Sequence, residues 1–300
     1  VWTPTRTGLL LVVGAALLAL SAPAPRAASL SGQPPAPAVC GTPLSSDEIA
    51  TIARLSDTSD LPGNSLARLE LAVQRNQRIT RILAEHRDRR GLFGIGLDGV
   101  EEVAVMPLQR DPLAFADREF AHAISFELLR RYLDNLHAEF TGGAVESHWA
   151  RYFALAARCE LSGARVAMSG YNAHLTVDLA YSIAAIGTKP HNAPDYFTIV
   201  AAIAGAGEVI VDRTKRVYDA DLGPLWRFYF LGEGLDLLVG RGVATRQLLI
   251  AADLGANVVI FGNGLALQDP ALREATALEI TALSDSAEVA FEVLAQLRAL

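Results

Sequence analysis

Between Phe115 and Phe140 the apolar side chains Phe120, Ile124, Leu128, Leu129, Tyr132, Leu133 and Leu136 recur at steps of three and four residues, and Gly142-Gly143 ends the run. A period of 3.6 gathers them on one stripe, which a helix buries by packing against other helices. The same spacing returns in Ser65 to His86, at Leu66, Leu69, Val73, Ile79, Ile82 and Leu83, with Arg and Glu opposite. Further helices are expected after the capping residues Ser46-Asp47-Glu48, over Ser147 to Glu160, Gly163 to Ile186, Asp195 to Tyr218 with a bend at Gly205 and Gly207, Leu225 to Val239, Ala244 to Asp253, and Pro270 to Leu300. Two stretches break the pattern. The glycines of Gly91 to Pro112, followed by Val103-Ala104-Val105, read as a loop with at most a short strand, and Gly187 to Pro194 reads as a turn-rich connection. The expected class is all-α, a multi-helix bundle in a single domain.

The chain begins Val-Trp-Thr-Pro-Thr-Arg and runs into thirteen residues without charge, Gly8 to Leu20, before small residues and prolines take over. That is the pattern of a secretory signal over residues 1–28, too short for a permanent span, with cleavage expected near Ser21 to Ala28. Residues 29–44 are rich in Pro, Ala, Ser and Gly and read as a flexible segment, leaving 45–300 as the helical domain. An exported chain with two cysteines favours pairing, so Cys40 and Cys159 are expected to form a disulfide, two separate thiols being the alternative. The expected place is therefore secreted or in the cell envelope, with no stable transmembrane anchor after cleavage. Leu248 to Leu267 carries one charge, Asp253, but its glycines and asparagines read as a buried, interrupted stretch rather than a span. The net charge of −7 argues against nucleic acid, whose phosphates call for a basic face.

The most specific polar chemistry lies in Gly170-Tyr171-Asn172-Ala173-His174-Leu175-Thr176-Val177-Asp178-Leu179. On a helix His174 and Asp178 stand on one face, where an imidazole and a carboxylate can offer two ligands to a divalent metal, Zn²⁺ or Mn²⁺. His122 and Asp212, from the neighbouring helices, are candidates to complete the set. Tyr171 and Tyr181 fall on the same arc and, with Asn172, are candidate substrate contacts. On this reading His174 and Asp178 are the catalytic residues of a metal-dependent hydrolase of esters or phosphoesters. The competing reading makes them a structural polar pair in a non-catalytic bundle that holds a small-molecule or lipid-like ligand. His148, near a helix end, reads as solvated.

The decapeptide resembles the Gly-x-Asn-Ala-His-(x)3-Asp-Leu signature of DUF5995, a largely actinobacterial domain family. Asp111-Pro112, Tyr132-Leu133-Asp134, Trp149 within Ser-His-Trp-Ala-Arg-Tyr-Phe, Asp195-Tyr196-Phe197 and Trp226-Arg227 are similar in order, over roughly residues 65–240. Where the resemblance leads one to expect an Asp before Tyr132, this chain has Ser125. The resemblance implies no activity. The His-x-x-x-Asp spacing is also similar to that of secreted zinc-dependent phospholipase C and P1-type nucleases, but the chain lacks their further histidines.

Overall fold

The helices form where the stripes predict them. The computed structural model of the chain describes residues 40–222, 243–297 and 300, and only the backbone of 243–253. The expected signal segment, most of the flexible segment and the helix expected over Leu225 to Val239 lie outside the described residues. Helix α1 spans Ser46–Ser56, where Ser45 and Glu48 form a reciprocal capping box. The Ser45 hydroxyl and backbone amide, with His86 beside them, hold the Glu48 carboxyl down at about 2. Helix α2 spans Ser65–Glu85, and α5, the longest stripe, spans Arg118–Thr141. Gly142 ends α5 in the left-handed region at φ 74°, and the Gly143 amide returns to the Ala138 carbonyl at 2.8 Å, a glycine stop of the Schellman type.

Gly91 to Pro112 departs from the sequence reading. It is helical, α3 at Leu92–Val100 and α4 at Met106–Arg110, joined by a π-helical turn at Glu101–Val105. Helix α3 lies among α2, α7 and α10 and is buried on nearly every side, so it carries no polar stripe for a periodicity argument to find. Its glycines mark close approaches rather than a loop: a Cβ on Gly99 would lie 2.9 Å from Arg213 Cδ, and one on Gly96 would overlap the Tyr171 hydroxyl.

Helix α6 spans Ser147–Ala156 and α7 spans Gly163–Asn172. A second π turn, Ala173–Asp178, leads into α8 at Leu179–Ala185. The Pro190–Asn192 turn precedes α9, Ala193–Gly205, and α10, Gly207–Tyr218, which meet at an angle of 46° at the expected glycines. Helix α11, Val243–Ala266, runs through the stretch read as broken. Two of its interruptions are packing residues: Asn257 is buried and accepts from the Tyr196 hydroxyl at 2.7 Å, and Gly264 lets the backbone close on Ile183 of α8, whereas a Cβ on Gly255 or Gly262 would meet open space. Helix α12 spans Arg273–Gln296. There is no strand among the described residues, and the chain is an all-α, multi-helix fold. Among those residues no single helix is long and apolar enough to cross a membrane, although the bent α9–α10 pair passes that test when its halves are joined.

Two groups of buried side chains form the core. One joins α1, α2, α3, α6, α7 and the C-terminal part of α5, around Phe93, whose ring meets Tyr132 at 4.8 Å and Trp149 and Tyr171 at 5.3 Å, edge to face. The other joins the N-terminal part of α5 with α8, α9, α11 and α12. Cys40 and Cys159 are disulfide-bonded, with 5.4 Å between their Cα atoms and 119 residues between them in sequence. Closing so long a loop contributes about 5 kcal/mol in the chain-entropy model.

Candidate functional site

An apolar cavity of about 110 Å³ lies where the two core groups meet. Phe93 and Leu97 of α3, Ile124 and Leu129 of α5, and Ile199 and Ile203 of α9 supply aliphatic and aromatic wall. One acid and one imidazole line it, Glu101 and His174, and each comes from a π turn. The wider turn is built the same way twice: the amide of Met106 returns to the Glu101 carbonyl, and that of Leu179 to the His174 carbonyl. Such one-residue bulges re-aim side chains and occur often at functional sites. Pro107 gives the first a local cause, because a proline has no amide to continue the α-helical ladder.

Both groups are buried and short of partners. Glu101 is 5% exposed and its Oε2 has no hydrogen-bond partner; burial, with the charge of Asp98 adding, pushes its carboxyl up to about 8. Neighbouring Asp98 differs in having a cation, Arg213, at 3.3 Å. His174 is also 5% exposed, its Nδ1 has no partner, and burial alone pulls its imidazole down to about 3. Its ring lies 4.8 Å from Phe93. At neutral pH the cavity therefore holds a protonated carboxyl and an uncharged imidazole, both with unmet hydrogen-bonding capacity. A buried polar atom without a partner calls for an explanation, and a ligand is one.

Asp178 has a different environment. Although it follows His174 by four residues, its fully buried carboxylate accepts from Trp149 Nε1 at 2.8 Å and from His148 Nε2 at 2.9 Å. Burial raises its pKa, against the lowering by His148 and Trp149. Trp149 neighbours both signature residues, since its ring centre is 6.5 Å from that of His174. Glu146 approaches the same His148 nitrogen at 3.6 Å, and ligand atoms of Glu146, His148 and Asp178 all fall within 4.8 Å of one another, close enough to hold a metal ion. That grouping contains neither His174 nor His122 nor Asp212.

The remaining candidates are dispersed. His122 is buried and its Nε2 binds the Gln109 carbonyl at 3.0 Å, whereas Asp212 is exposed on α10. Tyr171 lines the cavity beside Phe93. The Asn172 amide faces away to α12, donating to the Ser284 carbonyl at 2.9 Å and to Glu288 Oε1 at 3.0 Å, while Arg165 binds Glu288 Oε2 at 2.8 Å. Tyr181 lies under the Arg131 guanidinium at 5.7 Å. Ser125, at the position where an Asp was expected, accepts from Gln109 Nε2 at 2.9 Å and lines the cavity. Sequence reading missed Glu101 and misplaced His148. The signal for Glu101 was present, an acid among Leu97, Val100 and Val105 at helical spacing, but the surrounding glycines read as loop. His148 sits at the start of α6 with its side chain only 13% exposed, because it turns inward to Asp178.

With this geometry in place, comparison with known proteins adds one match. The model of DUF5995, a family of unknown function, matches residues 70–237, more than half of the chain and close to the 65–240 expected from motifs. No curated protein matches, and no solved structure does.

Proposed function

The chain belongs to the DUF5995 family, and since that family's function is unknown, we propose from the site itself that the protein binds a small apolar molecule in the cavity beneath α9 and α10. The observation that carries this reading is the pair of unpartnered buried groups, Glu101 Oε2 and His174 Nδ1, on the wall of an otherwise apolar cavity. Binding sites of this kind combine an apolar lining with few polar groups that orient the ligand. A volume of about 110 Å³ is comparable with the roughly 150 Å³ of an engineered cavity that takes up benzene. The disulfide fits an oxidising compartment, so the place we propose is secreted or in the cell envelope.

Hexanol is a suitable probe, and saturating amounts are expected to raise the thermal midpoint, by the equivalent of about 2.7 kcal/mol at a hundredfold excess over Kd. Filling the cavity with Ile203→Trp should abolish the rise. No response in the wild-type protein to hexanol or to any six-carbon chain with another head group would overturn the reading.

A second reading, metal-assisted hydrolysis of an ester or phosphoester, is favoured by one observation, the convergence of Glu146, His148 and Asp178. An imidazole with two carboxylates suits Zn²⁺ or Mn²⁺, and a metal held there would activate water. This reading predicts stoichiometric metal by elemental analysis of protein made with added Zn²⁺ or Mn²⁺, lost in His148→Ala. Metal-free wild-type protein would remove it.

A further inference from the structure

Resting on the proposal of a ligand cavity, we infer that its ligand is an apolar amine, held as an ammonium between Glu101 and His174. The charge inventory of the wall carries the inference. Its ionisable side chains include one acid and no Lys or Arg, so an anionic head group such as a fatty-acid carboxylate would be buried beside Glu101 with no cation to balance it. An ammonium supplies the missing charge. It also supplies the missing hydrogens: ionised Glu101 Oε2 is an acceptor without a donor, so is His174 Nδ1 in the tautomer that carries its proton on Nε2, and an ammonium has three N–H groups to give.

The aromatic wall suits the same guest. Phe93, Tyr171 and Tyr196 line the cavity, and aromatic faces attract a desolvated cation. Arg213 of α10, beside this end of α3, bridges Asp98 at 3.3 Å and Glu102 at 2.5 Å. It is thereby engaged with those acids. Glu101 therefore has no cationic partner among the described residues, whereas its two acidic neighbours share one.

Binding then involves a proton. Below the Glu101 pKa of about 8 the incoming ammonium must displace the carboxyl proton to solvent, and above it the carboxylate is ready. The titratable and charged groups around it are Asp98 and Glu102 on its own segment, Tyr171 and His174 on the α7 segment, Tyr196 on α9 and Arg213 on α10. An alkylammonium, like the Lys side chain, keeps its charge to about pH 10. Affinity for the amine should therefore rise from pH 6 to pH 8.

The test is calorimetric titration of the full chain with hexylamine, hexanol and hexanoate at about pH 9. Hexylamine is expected to bind tightest and hexanoate not at all. Glu101→Gln, which keeps the shape and removes the charge, should weaken hexylamine by roughly 30-fold or more while leaving hexanol little changed. Hexanol binding with no preference for hexylamine, or hexylamine affinity unchanged in Glu101→Gln, would overturn the inference and leave the cavity reading standing. Failure of all three probes would overturn both.

Discussion

Asp178→Ala is expected to cost about 3 to 5 kcal/mol of folding stability, measured by chemical denaturation at neutral pH. The carboxylate is fully buried and is the acceptor that satisfies two donors of α6, Trp149 Nε1 and His148 Nε2. Alanine would leave an indole N–H facing apolar surroundings and take away the hydrogen-bonded partner of an imidazole that is itself largely buried. Asp178→Asn should cost less, about 1 to 2 kcal/mol, because its amide oxygen still accepts from Trp149 and its NH₂ can donate to the other tautomer of His148. Trp149→Phe, which keeps most of the ring and removes the donor, should fall near Asn in effect. The ordering separates a structural anchor from a surface-like carboxylate. An Asp178→Ala protein within about 1 kcal/mol of wild type would show that the α6 contact stabilises nothing.

This anchoring role also explains which part of the site was legible in the sequence. The stripe of α5 and the stop at Gly142 are local facts, and the stripe was readable because the opposite face carries half-buried charged side chains, Arg130, Arg131 and Asp134. Helix α3 has no such face, and its glycines, which a sequence argument takes as breaks, are where Tyr171 and Arg213 close on the backbone. The same reasoning applies to Gly264 in α11. For the signature segment, spacing placed His174 and Asp178 on one helical face, and they do share a turn. Spacing could not reveal that α6 would present two stronger partners to Asp178, or that His174 would be left facing Phe93 and the cavity. Partner choice between elements is a tertiary fact. Cys40 and Cys159 were the exception, since a chain with two cysteines leaves each thiol one possible partner within it.

The two groups on the cavity wall should shape stability in opposite directions along the pH scale. Glu101 has its folded pKa raised to about 8 from 4.5, so the native state binds the proton more tightly than the unfolded chain. Its contribution is whole below pH 4.5 and is lost as pH rises to about 8. His174 has its folded pKa lowered to about 3 from 6.5, so the unfolded chain binds the proton more tightly. Its contribution is whole above pH 6.5 and is lost as pH falls toward 3. Each amounts to about 1.4 kcal/mol per pH unit across its window, a few kcal/mol in all. Between pH 4.5 and 6.5 the two slopes cancel. Other carboxyls raised by burial, Asp98, Asp134, Glu139 and Asp178, tilt the profile as well, but they do so in wild type and variant alike. The informative quantity is therefore the difference between denaturation profiles. Glu101→Gln should gain on wild type steadily from pH 4.5 to 8 and match its slope at lower pH. His174→Phe should gain on wild type as pH falls from 6.5 toward 3 and run parallel to it above. Profiles of Glu101→Gln parallel to wild type throughout would place that carboxyl in water rather than in the cavity, and with it would go the acceptor on which an ammonium ligand depends.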